Sequence, residues 1–214
     1  EGFYRIPCTP EGADWYEGTN AFAVRPGDVK HWRNLGDVEL VLLTAWLESR
    51  LPLVSVDEVT GQVVTRWRSA IAPSEGSRYY VENVFEACTK PGTWYCDRVE
   101  GRLYYLPYPG EDPEMAEVVV PRLATLFALA GTPEEPVAHL HFEGLAFAHT
   151  EWRRSDDTPI MRYVFRDNLV FMESAADDKA SDHLAAVSVP GAICGTHVQE
   201  CAFTSCTIEH TGGY

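Results

Sequence analysis

The sequence predicts an all-β protein: an antiparallel β domain followed by stacked parallel coils. Three observations carry that prediction. First, Val137-Ala-His-Leu-His-Phe-Glu-Gly-Leu-Ala-Phe-Ala-His-Thr150 is echoed by His197-Val-Gln-Glu-Cys-Ala-Phe-Thr-Ser-Cys-Thr-Ile-Glu-His-Thr211. Phe142 matches Phe203, Leu145 matches Cys206, Phe147 matches Ile208, His149-Thr150 matches His210-Thr211, and a small residue (Gly144, Ser205) interrupts both copies at the same place. The apolar residues alternate, which is the period of a strand with one buried face. Such a strand-bend-strand unit cannot bury its apolar row alone, so copies must stack, and stacked parallel coils make a β-solenoid. A plain sandwich is the alternative. Second, residues 1–113 divide into strand-length segments separated by Gly and Pro turn chemistry. Third, no segment has the pattern of a helix longer than a few turns.

The first 36 residues are broken by Pro7, Pro10, Gly12, Gly18, Pro26 and Gly27 and read as loops around a short strand at residues 21–24. Val38 to Leu47 is a near-continuous apolar run of strand length. Residues 51–56 and 62–67 form a hairpin turning around Asp57 to Gly61. Residues 78–87, 93–98 and 102–106 read as a meander, with Val84 to Ala87 equally suited to one helical turn. The proline-bearing acidic stretch at 109–114 marks an exit, giving domains at 1–113 and 114–214. The second domain has short strands at 117–120 and 126–129, the two repeat copies, and between them a long loop insert at 151–187. The middle of that insert, 160–165, holds one further strand. Insertions in solenoids lie on one face, often the binding face.

Composition bounds the function. With 214 residues, 45% of them hydrophobic and 12% aromatic, the chain buries a sizeable core. The formal charge of −15, from 17 basic against 32 acidic residues, repels polyanions and excludes nucleic acid as a partner. No apolar run approaches the ~20 residues of a membrane span. The chain starts at Glu1 without a leader and reads as a piece of a longer protein. The six cysteines contain no C-x-x-C pair and read as buried thiols, with a Cys88 to Cys96 bridge left open. His139-x-His141 has the spacing of two ligands on one strand face but lacks a third, so no metal and no cofactor is expected. There is no G-x-S-x-G, Walker loop, G-x-G-x-x-G or H-E-x-x-H.

The run Tyr80-Val-Glu-Asn-Val-Phe-Glu-Ala…Pro91-Gly-Thr-Trp-Tyr-Cys-Asp-Arg…Gly101-Arg-Leu-Tyr-Tyr-Leu-Pro107, with Val137 to Trp152 and Cys206 to Gly213, resembles bacterial right-handed parallel β-helix glycoside hydrolases of families 141 and 120. The resemblance covers most of residues 20–214. It implies a secreted or cell-envelope enzyme acting on plant or microbial polysaccharides. The expected fold is then a right-handed parallel β-helix, of which this chain holds the first coils, with an antiparallel β-sandwich appended.

Glycoside hydrolysis needs two carboxyl groups, about 5 Å apart for retention or ~6.5–9.5 Å for inversion. Coils of a β-helix stack about 4.8 Å apart and same-face residues recur about every 6.6 Å, so outward carboxylates on neighbouring coils meet that need. If Cys206 and Ile208 point inward, Glu209 faces out, and His141 and Glu143 do so if Leu140 and Phe142 face in. Glu209 is the first catalytic candidate and Glu151, at the strand exit, the second. Trp152 would stack on a sugar ring, and His149 and His210 would line the groove, although their shared register also fits a buried histidine stack. The resemblance further implies that the acid and base lie on coils beyond Tyr214. Two other readings stand beside hydrolysis: a non-catalytic carbohydrate-binding or structural module, and a polysaccharide lyase, to which only Arg153-Arg154 points.

Overall fold

A computed structural model of the protein describes residues 2–151, 161–166, 169–174 and 190–213. In chain order the strands are β1 (Tyr4–Arg5), β2 (Ala21–Ala23), β3 (Glu39–Thr44), β4 (Leu47–Asp57), β5 (Gln62–Thr65), β6 (Arg78–Glu82), β7 (Trp94–Asp97), β8 (Arg102–Tyr105) and β9 (Phe127–Ala130). They continue as β10 (Val137–Ala138), β11 (His141–Glu143), β12 (Ala146–Ala148), β13 (Met161–Arg166), β14 (Leu169–Ser174), β15 (Ile193–Thr196), β16 (Val198–Gln199), β17 (Ala202–Thr204) and β18 (Thr207–Glu209). Helix among the described residues amounts to single 3-10 turns, including the expected one at Phe85–Ala87. The chain forms two compact units, Glu1–Ala116 with Pro159–Ala185, and Glu117–Thr158 with Ala186–Tyr214.

The first unit is built on one six-stranded antiparallel sheet of order β1-β6-β3-β4-β5-β2. Its long strand β4 pairs with β3 over Leu47–Pro52 and with β5 from Leu53 onward, and its register shifts between Leu53 and Ser55. A bulge there raises the local twist, so the sheet curls over itself. Leu40, Leu42, Leu51 and Tyr79 from one half are thereby buried in one cluster with Phe22, Val24, Leu53 and Val63 from the other. The two-sheet sandwich expected from sequence is replaced by this single curled sheet. On its exposed side the Arg50 guanidinium lies 2.6 Å from Glu82, 3.2 Å from Glu39 and 3.0 Å from Glu48, tying β3, β4 and β6.

Two expectations for this unit need correction. The apolar run from Val38 is not one strand: it reverses at Ala45–Trp46, with Thr44 opposite Leu47. Ala45 takes φ 48°, a turn conformation that usually falls to Gly or Asn, and without either residue the turn left no mark in the sequence. Nor is 78–106 a meander. Residues 83–93 are bent by Asn83 at φ 57° and by the 3-10 turn, so β6 pairs with β1 and β3, which buries Tyr79, while among the described residues β7 and β8 pair only with each other. The hairpin at Asp57 to Gly61 forms as expected, the Asp57 carboxylate accepting from the N–H groups of Val59 at 2.9 Å and Thr60 at 3.2 Å. The β13–β14 hairpin adds a second strand, 169–174, where one was expected.

The second unit consists of parallel two-stranded ladders: β9 with β15, β10 with β16, β11 with β17 and β12 with β18. Phe142 pairs with Phe203 and Phe147 with Ile208, the register that the repeat alignment expects. From Val137–Val198 to Ala148–Glu209 the offset stays at 61 residues, whereas Phe127–Ile193 is offset by 66. The loop between Ala130 and Val137 takes up the difference. Gly131 begins that loop, where a Cβ would lie 2.6 Å from the His197 carbonyl oxygen. Inside, Phe142 stacks on Phe203 at 4.9 Å and 23°, and Phe127 meets Phe142 edge-on at 4.8 Å. Phe147 is buried, but Ile208 above it is 55% exposed, because among the described residues nothing pairs with the far edge of β18. No strand forms at 117–120, where Val118 and Val120 are exposed and Pro121 follows.

The string that carries the family resemblance turns out to be a lock within the first unit. The Asp97 carboxylate, fully shielded, accepts from the N–H groups of Glu100 (2.9 Å) and Val99 (3.1 Å) and from the Asn34 amide (2.9 Å), and it pairs with Arg33 at 2.7 Å. The Arg33 guanidinium lies over the rings of Phe85 (5.0 Å) and Tyr104 (5.6 Å), and Asn34 also donates to the Tyr95 hydroxyl at 3.0 Å. The Glu100 N–H first, with Arg33, Asn34 and the Val99 N–H, holds the Asp97 carboxyl below its ordinary range against the opposing effect of burial. A lowered folded-state value means that the stabilisation is complete above the unfolded carboxylate's value of about 3.9 and disappears as pH falls through the folded value. Thermal unfolding between pH 6 and pH 2 checks this: Asp97→Asn should unfold at lower temperature than the wild type at pH 6, with the gap closing below about pH 3. Parallel curves for the two proteins would contradict it.

Candidate functional site

Constant register in the second unit sorts its residues into columns. The bends fall at His139, Gly144 and His149 in the first copy and at Glu200, Ser205 and His210 in the second, all with φ between 50° and 68°. Each bend thus lies 61 residues from its counterpart. A left-handed bend costs an L-residue about 1 kcal/mol, and His tolerates it better than most. Ladder hydrogen bonds across the bends offset that cost, including His139 N–H to Gln199 O (3.1 Å), Gly144 N–H to Thr204 O (3.0 Å) and Thr207 N–H to Leu145 O (2.9 Å).

Polar side chains pair within these columns and, at His141, diagonally across them. The rings of His149 and His210 lie 5.1 Å apart and within 3° of parallel. His139 Nδ1 is 2.8 Å from Glu200 Oε2, both side chains being exposed. His141 Nε2 bonds Thr204 Oγ1 between β11 and β17. The expectation that His139 and His141 share one strand face is therefore overturned. His139 sits in the bend between β10 and β11, where alternation is broken, and turns to Glu200. Among the described residues no group of three or more His, Cys, Asp and Glu is placed to hold a metal ion. The Cys88 and Cys96 thiols are free.

Glu209 is exposed on β18 opposite Ala148, one residue before the histidine column. Glu151 follows Thr150 at the exit from the first copy, its N–H donating to Leu123 O at 2.9 Å. The fold thus sets Glu209, His149 and His210 at one end of the β12–β18 ladder, with Glu151 leaving the same end of β12. Trp152 and the Arg153-Arg154 pair lie outside the described residues. Exposed carboxylates beside imidazoles can exchange protons and accept from sugar hydroxyls. Sequence reasoning missed Glu200 as the partner of His139, although the repeat alignment already places one over the other.

No family model and no curated protein sequence matches the chain. A solved structure described as "Glycoside hydrolase" is similar to it, with 21% sequence identity and a TM-score of 0.61. The match covers 98% of this chain and 43% of that one, so the chain spans less than half the length of that structure. At this identity the likeness is one of fold. Among the described residues no helix is long and apolar enough to cross a membrane.

The candidate residues depend on how the chain leaves each copy. Thr150 is buried, and its Oγ1 (2.9 Å) and carbonyl oxygen (3.1 Å) both accept from the Gly212 N–H, clamping the segment after His210 onto the segment after His149. Thr150→Ala should cost about 1–2 kcal/mol in chemical denaturation, and Thr150→Ser, which keeps the hydroxyl, less than half of that. Equal losses in the two variants would mean that the hydroxyl does not hold the clamp.

Proposed function

We propose that the chain is part of a carbohydrate-active enzyme that hydrolyses glycosidic bonds of plant or microbial polysaccharides. The observation that carries this reading is the fold likeness, along 98% of the chain, to a structure described as a glycoside hydrolase. The parallel ladders at a constant 61-residue offset add support, because columns of side chains on stacked coils suit an extended sugar chain. On this reading residues 114–214 form the first coils of a right-handed parallel β-helix with its insert at 151–187, and residues 1–113 form a separate antiparallel β domain. The protein would be secreted or held in the cell envelope.

Glu209 is the proposed proton donor or acceptor at the glycosidic oxygen, Glu151 the second carboxylate candidate, and His149, His210 and Trp152 the residues along the sugar. Neighbouring coils about 4.8 Å apart would bring a carboxylate on the next coil within the range that either stereochemical outcome requires.

An activity screen of the full chain on aryl-glycosides and pectic oligosaccharides tests this. Glu209→Gln should lower kcat/KM about 10²–10⁴-fold on the substrate that is cleaved. Activity within twofold of wild type would remove Glu209 from the mechanism.

A further inference from the structure

The first unit displays three large aromatic side chains side by side: Trp15, Tyr16 and Trp46 are 40%, 52% and 53% exposed. Single exposed aromatics are ordinary, but a contiguous group held out to water marks a binding surface. Trp15 meets Tyr16 at 4.6 Å and 85°, and Trp46 at 6.3 Å and 69°. We propose that these three residues form a binding corner for a neutral glycan chain. The corner is made of first-unit residues alone, none of them among those proposed for catalysis.

The backbone holds the corner rigid before any ligand arrives. Asp14 Oδ1 accepts from the N–H groups of Tyr16 (2.8 Å) and Glu17 (3.2 Å), fixing the loop that carries two of the rings. Gly18 closes that loop against residue 69 so tightly that a Cβ would lie 1.7 Å from the Ser69 carbonyl oxygen. Thr19 and Ser69 exchange further hydrogen bonds of 2.9–3.2 Å, and the Trp15 carbonyl accepts from the Ala72 N–H at 3.0 Å. Trp46 arrives from the other side, on the β3–β4 turn, and its neighbour Leu47 is buried in a small cluster with Ala70 and Ile71. Both tryptophan-bearing segments are thus anchored to residues 69–72. Ala45 at φ 48° is a strained non-glycine residue immediately before Trp46, and strain of that kind concentrates at functional surfaces.

Ring chemistry and charge select the ligand. A sugar offers an apolar C–H face that packs on an aromatic ring and a rim of hydroxyls that bond to polar neighbours. Asp14 and Glu17 flank Trp15 and Tyr16 in sequence, against the Arg68 guanidinium that donates to the Gly18 carbonyl at 3.2 Å, and the whole chain carries −15, so a uronate polymer would be repelled and a neutral glycan would not. Rings inclined by 69° cannot lie together on a flat crystalline glycan, whereas they can cradle one free chain. The choice of glycan as ligand class rests on the carbohydrate reading above; the rigidity and exposure of the corner do not.

Titration of the full chain with neutral hexasaccharides derived from xylan, glucan and mannan, followed by tryptophan emission and calorimetry, tests the proposal, with hexagalacturonate as the anionic probe. At least one neutral hexasaccharide should bind. Trp46→Ala and Trp46→Leu should each weaken that binding at least tenfold, whereas Trp46→Tyr should stay within threefold. Leu keeps apolar bulk without an aromatic face, so loss in Leu with retention in Tyr separates stacking from misfolding. Trp46→Ala should cleave small aryl-glycosides at the wild-type rate. Loss of glycan binding in Trp46→Leu in a protein that cleaves no glycoside would sink the hydrolase reading and leave the corner standing. Wild-type affinity in Trp46→Leu, no binding by any neutral hexasaccharide, or tighter binding of hexagalacturonate would overturn the corner.

Discussion

Parallel pairing at a fixed 61-residue offset is the constraint on which three of the second unit's four ladders depend. A parallel ladder aligns equivalent residues of successive strands, so a one-residue slip would turn every side chain to the opposite face. Phe142 stacks on Phe203 and the buried Phe147 pairs with Ile208, while Glu143 and Glu209 stay in water. The bends obey the same offset, so left-handed residues lie over left-handed residues: His139 with Glu200, Gly144 with Ser205, His149 with His210. Packing, bends and the exposed row of polar groups therefore follow from a single register.

The first unit is held together differently. A bulge in β4 lets one sheet curl around its own core, so a single strand serves both halves. The β7–β8 hairpin is fastened by the shielded Asp97 carboxylate, by Arg33 lying over two aromatic rings, and by the Asn34 amide that bridges Tyr95 and Asp97. Burying that carboxylate carries a desolvation cost that its four donors offset, and removing one partner leaves the remainder uncompensated. The most specific string in the sequence thus encodes structure, and the residues proposed for chemistry lie elsewhere.

What could be read from the sequence divides along physical lines. Alternation and the repeated small residue were enough to align 137–150 with 198–211, and Asp and Gly chemistry was enough for the turn at 57–61. The reversal at Ala45–Trp46 was illegible, because nothing in Thr-Ala-Trp-Leu marks a positive φ. Pairing of β6 with β3 was equally hidden, since local patterning reports a strand but not its neighbour. His139 was misplaced because alternation does not continue through a bend. At the candidate site, the exposed place of Glu209 on β18 follows from the alignment, whereas the pairing of His139 with Glu200 required the same alignment to be carried through the bends.

The register itself can be tested with one substitution, because the native Cys206 stands 61 residues from Leu145. Leu145→Cys should form an intramolecular disulfide with Cys206 under mild oxidation, readable by peptide mass spectrometry, since neighbouring parallel strands lie within the Cα separation of about 4.4–6.8 Å that a disulfide allows. Gly144→Cys and Ala146→Cys, one residue off, should not. A cross-link from either of those positions and none from Leu145→Cys would contradict the stacked register.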